Sequence, residues 1–83
     1  MNNNFAKLIQ IDENNQVLII KDYEDGVFNT KKTTEINGIQ CTATGTFDSV
    51  EERDLSFDNY DLELAVVFYN GVKGMIEGPQ NEH

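Results

Sequence analysis

Eighty-three residues, 39% of them hydrophobic, suffice for one small domain and exclude a multidomain enzyme, a collagen-like chain or a low-complexity chain. Six basic residues against fifteen acidic ones leave a net charge of −9 and a pI near 4.2. Direct binding to nucleic acid or to an anionic membrane is not the expectation on that balance, because contacts to phosphates require Lys and Arg.

Compartment follows from what the chain lacks. Cys41 is the single cysteine, so no internal disulfide can form and nothing suggests a secreted, disulfide-stapled scaffold. The opening residues Met1, Asn2, Asn3 and Asn4 show neither the basic patch nor the apolar run of a signal peptide. The longest apolar runs, residues 17–20 and 64–68, fall far short of the roughly 20 residues that cross a bilayer. A cytoplasmic location is the expectation, with residues 1–78 as one domain and 79–83 as a loose tail.

In chain order, residues 5–11 place Phe5, Leu8, Ile9 and Ile11 among polar residues, and Asp12-Glu13-Asn14-Asn15 supplies turn formers. Residues 16–23 carry Val17-Leu18-Ile19-Ile20, so the two segments read as a hairpin. The unbroken apolar run suggests that its second strand is covered, at least in part, on both faces. Residues 22–30 are acidic and aperiodic and read as a loop that Val27 and Phe28 pin to the core. Residues 33–47 return to strand chemistry around Asn37-Gly38, a hairpin turn signal.

Asp48-Ser49 followed by Glu51-Glu52 is a helix-start signature. Val50, Phe57, Tyr60, Leu64, Phe68, Val72 and Met75 then recur at helical spacing, with Asn59 as a break and Asn70-Gly71 as a cap. Residues 62–76 also admit a hairpin, because Leu62, Leu64, Val66 and Phe68 alternate and Asn70-Gly71 could turn the chain. The expected fold is α+β: a four-stranded antiparallel sheet in two hairpins followed by one or two C-terminal helices. An all-β chain with a C-terminal hairpin is the alternative.

Catalytic and metal-binding signals are weak. His83, the only histidine, is the last residue and a poor base for a nucleophile system. One cysteine and one histidine do not make a zinc site, and Cys41 reads as an ordinary half-buried strand residue. Gly71-Val72-Lys73-Gly74 is too short for a phosphate loop and lacks the basic surroundings of an RNA clamp. Asp54, Ser56 and Asp58 fit the first, third and fifth positions of a calcium loop, but Ala65 stands where the bidentate Glu is required. No catalytic residue, cofactor or metal is assigned.

Two patterns remain. Residues 48–63 hold seven acids against Arg53, a net −6. A solvated face explains this; so does a docking surface made of Glu51, Glu52, Asp54, Asp58, Asp61 and Glu63 that imitates the phosphate row of nucleic acid on a basic protein partner. Leu55, Leu62, Val66 and Tyr69 form a second apolar stripe, which points to a homo-oligomer, a dimer in the first instance.

The expected function is a non-enzymatic inhibitor or adaptor that occupies the basic site of a nucleic-acid-handling protein. Small, acidic, asparagine-rich chains of this kind suit a phage-encoded anti-defence inhibitor. The alternative is an oligomer that sequesters an anionic, nucleotide-like small molecule through Lys7, Lys21, Lys31, Lys32, Arg53 and Lys73. A purely structural subunit of a larger assembly is the third reading.

Overall fold

The computed structural model describes residues 5–78; Met1 to Asn4, the 79–83 tail and His83 lie outside the described residues. Four strands, β1 (Ala6–Gln10), β2 (Gln16–Glu24), β3 (Val27–Ile36) and β4 (Ile39–Phe47), form an antiparallel sheet in sequential order. Two helices follow, α1 (Val50–Asp58) and α2 (Leu62–Glu77). The fold is therefore α+β, and residues 62–76 are helical.

Local chemistry explains each turn. Asp12 Oδ1 accepts from the Asn14 N–H at 2.8 Å and from the Asn15 amide at 2.9 Å, closing the β1–β2 connection. Those contacts, the Asn15 amide first, hold the Asp12 carboxyl below the usual aspartate range. Asn37 (φ 54°) and Gly38 (φ 80°) make the β3–β4 turn in the left-handed region, which matches the twist of the flanking strands.

The expected loop at 22–30 is instead a second turn of this kind. Asp25 (φ 56°) and Gly26 (φ 76°) join β2 to β3, and pairing continues from Glu24↔Val27 to Leu18↔Thr33. Asp-Gly is as good a hairpin signal as Asn-Gly. The acids that hid the strand are neutralised across it: Lys31 Nζ lies 3.3 Å from Asp22 Oδ2 and 3.5 Å from Glu24 Oε1. Phe28, expected to pin a loop, packs its ring 4.8 Å from that of Tyr23.

Double coverage of β2 holds only in part, with Ile20 half-buried on the face away from the helices. Val17 and Ile19 are buried under the helices, whereas Leu18 on the opposite face is 38% exposed. The sheet thus has one covered and one open face.

Ser49 caps α1 by accepting from the Glu52 N–H at 3.2 Å, and Glu52 Oε1 accepts from the Asp48 N–H. Asn59 ends α1, and Asp61 caps α2 through the Leu64 N–H at 3.1 Å. This break resets the helical phase, so the single stripe from Val50 to Met75 does not survive. Phe57, Tyr60 and Val72 are buried, but Leu64 is 45% exposed and Met75 72%. The inward side of α2 carries Ala65, Phe68, Tyr69, Val72 and Ile76 instead.

Asn70-Gly71 does not cap α2, which runs on to Glu77 and ends at Gly78 (φ 73°). A helical glycine costs about 1 kcal/mol, less than burial of Val72 beyond it returns. Val17, Ile19, Phe57, Tyr60 and Ala65 form the core, with Ile9, Ile11, Phe68 and Tyr69 packed around it.

Candidate functional site

The covered face of the sheet is where this chain places most of its positive charge. Strand alternation directs Lys7, Lys21 and Lys32 toward the helices, each through a long aliphatic stem. Lys7 Nζ sits 4.8 Å and Lys21 Nζ 5.0 Å from the centre of the Phe57 ring, and Lys32 Nζ sits 5.8 Å from that of Tyr60. Lys7 also donates to the carbonyls of Asp58 (3.3 Å) and Tyr60 (3.1 Å) at the junction after α1, where carbonyls need donors.

Arg53 completes the set from the helical side. It is 9% exposed, donates through Nη1 to the Asp22 carbonyl at 3.0 Å and lies 5.4 Å from the Phe28 ring centre. Its Nε and Nη2 both donate to Asp54 Oδ1, which Lys21 Nζ approaches to 3.4 Å. Burial pushes the Asp54 carboxyl up, but the hydrogen bonds from Arg53 and Lys21 outweigh it and leave the group below the usual aspartate range. Burial alone pushes the Tyr60 phenol up to about 12.

The six acids of the expected docking surface consequently divide. Asp54, its side chain still 39% exposed, pairs with Arg53 and Lys21. Glu52 and Asp61 are exposed but serve the helix caps. Glu51, Asp58 and Glu63 are exposed on α1 and the first turn of α2. Residues 54–58 are helical, so the calcium-loop geometry is not present, and among the described residues no three His, Cys, Asp or Glu side chains gather as an ion site.

The expected apolar stripe is also divided. Leu55 is 61% and Leu62 52% exposed, whereas Val66 is half-buried and Tyr69 packs against the core. Leu64 and Val67 add exposed apolar surface on α2. Helical spacing alone would have found those two once the phase had been restarted at Asp61.

The cations proposed for an anionic ligand do not converge. Lys7, Lys21, Lys32 and Arg53 are engaged between the layers, Lys31 is on the open face and Lys73 is exposed on α2. A trough of about 530 Å³ does open on the uncovered face, lined by Leu8, Gln16, Leu18, Thr33, Glu35 and Gln40 together with the Asn14-Asn15 and Asn37-Gly38 turns. No Lys or Arg lines it.

Further along that face Asn29 is 5% exposed, and its Oδ1 is a buried side-chain oxygen without a hydrogen-bond partner. Cys41 is half-buried on β4. Among the described residues, no helix is long and apolar enough to cross a membrane. Compared with known proteins, the chain matches no family model, no curated protein and no solved structure.

Proposed function

We propose that this protein is a non-enzymatic binding protein whose acidic helical surface docks on a basic site of a protein partner. The carrying observation is the one-sided use of charge. Lys7, Lys21 and Arg53 are drawn between the layers by Phe57, Phe28 and helical carbonyls, while Glu51, Asp58 and Glu63 remain outside. An unbalanced acidic surface of this kind speeds encounter with a basic partner and suits the place of a nucleic-acid backbone. Inhibition of a nucleic-acid-handling protein, in the manner of a phage anti-defence factor, is the most concrete form of this reading.

Self-association is the second part of the proposal. Exposed Leu55, Leu62, Leu64 and Val67 leave apolar surface on the helical side that no other described residue covers.

Charge reversal tests the acidic surface, with Asp54 left alone because it holds Arg53 and Lys21. The Glu51→Lys, Asp58→Lys, Glu63→Lys variant should keep the wild-type circular dichroism spectrum. A partner captured from cell extract by the wild-type protein should be lost by the variant, released by salt and displaced by duplex DNA. Capture that survives both reversal and 0.5 M salt would remove the acidic surface from the mechanism, since exposed charges are largely screened there.

A further inference from the structure

Among the described residues, no strand covers the outer edge of β4. Its hydrogen-bonding phase follows from the two-residue turn. Ile36 and Ile39 close the turn as a bonded pair, so Cys41, Ala43, Gly45 and Phe47 bond inward to β3. Gln40, Thr42, Thr44 and Thr46 therefore point their N–H and C=O groups outward. The same phase carried across the sheet predicts a bonded pair between Lys21 and Phe5, and the Lys21 N–H does donate to the Phe5 carbonyl at 2.8 Å.

Edge strands of monomers are blunted by charge, proline, bulges or shortness. β4 has none of these: it is nine residues long, pairs one-to-one with β3 and lies within residues 36–47, the longest stretch of the chain without a charged side chain. The opposite edge, β1, has five residues, carries Lys7 and is followed by Asp12-Glu13. In a chain of net charge −9, a neutral edge is the place where two copies can approach with least repulsion.

We propose that the protein forms a two-fold dimer in which β4 pairs antiparallel with β4 of a second copy, centred on Ala43, to give a continuous eight-stranded sheet. The inference rests on the self-association reading above and names its contact. Centring on Ala43 pairs Thr42 with the partner's Thr44 and Gln40 with the partner's Thr46, so all four outward residues find partners in both copies.

Threonine pairs line the open face, a favourable cross-strand combination. On the covered face, small residues meet at the centre, Ala43 with Ala43 and Cys41 with Gly45. Ile39, 48% exposed in one chain, gains the partner's Phe47. Each Asp48 falls beside the partner's Gly38 turn, far from its twin. A strip about 30 Å long and about 20 Å deep amounts to about 600 Å² per copy, at the lower end of stable interfaces.

Cross-linking and mass measurement test the register. In a Cys41→Ser background, Ala43→Cys places two thiols at a non-bonded pair with Cα atoms about 4.5 Å apart, within disulfide reach. Mild oxidation should convert most of that variant to a covalent dimer. Thr46→Cys in the same background should give little, because the twin positions lie six residues apart along the strand.

Thr44→Pro removes an outward N–H while sparing the bonds to β3, so it should be a folded monomer by light scattering where the wild-type protein is a dimer. Should Thr44→Pro lose its circular dichroism signal, Thr44→Lys replaces it, with the same expected monomer. A wild-type monomer at about 100 μM would overturn self-association altogether. A dimer that persists in the folded Thr44 variants without the Ala43 cross-link, but dissociates in Leu62→Asp, would overturn the β4 assignment and leave self-association through the helices standing.

Discussion

The two faces of the sheet solve the problem of a small, highly charged chain in opposite ways. On the covered face, Lys7, Lys21 and Lys32 lay their stems beneath the helices and set their ammonium groups against Phe57 and Tyr60. Polar groups there are matched: Lys7 takes the Asp58 and Tyr60 carbonyls at the junction after α1, and Arg53 takes the Asp22 carbonyl.

On the open face, Leu8 and Leu18 stand among threonines, one ion-pair cluster joins Lys31 to Asp22 and Glu24, and Asn29 Oδ1 has no partner. The covered face is thus specified by contacts made within one chain, and the open face is constrained far less. Cations are useful inside because they hold acidic helices onto the sheet without exposing apolar rings. The consequence is an outer helical surface stripped of its counter-charge.

Substitutions on the two faces should differ in cost by several-fold. Phe57→Ala removes the largest fully buried side chain and the ring that receives both Lys7 and Lys21. A loss of about 3–5 kcal/mol is expected by urea denaturation, enough to leave so small a domain mostly unfolded.

A second test on the covered face uses pH. The Tyr60 phenol is raised to about 12 in the folded chain against about 10 when unfolded. Stability from its burial is therefore complete below about pH 10 and is lost as pH rises through about 12, a swing of about 3 kcal/mol. Urea midpoints measured from pH 9 to 12 should fall more steeply for the wild-type protein than for Tyr60→Phe; equal slopes would show that the phenol is solvated.

The smallest effect belongs to the open face. Leu18→Thr should shift stability by no more than about 0.5 kcal/mol, because its side chain already meets water. A loss above about 2 kcal/mol would mean that the open face is covered in solution, and the comparison between the faces would have to be redrawn.

Much of the fold was legible in local chemistry. Asn37-Gly38, the Asp12–Asn15 turn and the Ser49 cap each carry their geometry in a few adjacent residues. Two expectations failed for opposite reasons: at 22–25 an acidic composition masked a local turn signal, and at 70–71 a local turn signal yielded to packing. Acids at 22–25 concealed the Asp25-Gly26 hairpin, although Lys31 across the strand makes them compatible with a sheet. Asn70-Gly71 suggested a stop where inward packing of Val72 and Ile76 carries the helix onward.

The candidate surface was legible only in part: residues 48–63 are visibly acidic, yet nothing in their order separates Asp54, held by Arg53 and Lys21, from exposed Asp58. The uncharged stretch at 36–47 was readable from the start, but its meaning depends on β4 being an edge.

The sequence by itself determined the β1–β2 and β3–β4 turns, the start of α1 and α+β as the leading class, because turns and caps act over a few residues; it left residues 62–76 open between helix and hairpin. Tertiary structure alone decided which face of the sheet is covered, where the cations go and which strand edge stays open. Those outcomes arise from contacts between residues tens of positions apart, such as Lys7 with Phe57 and Arg53 with Asp22, and no local pattern encodes them.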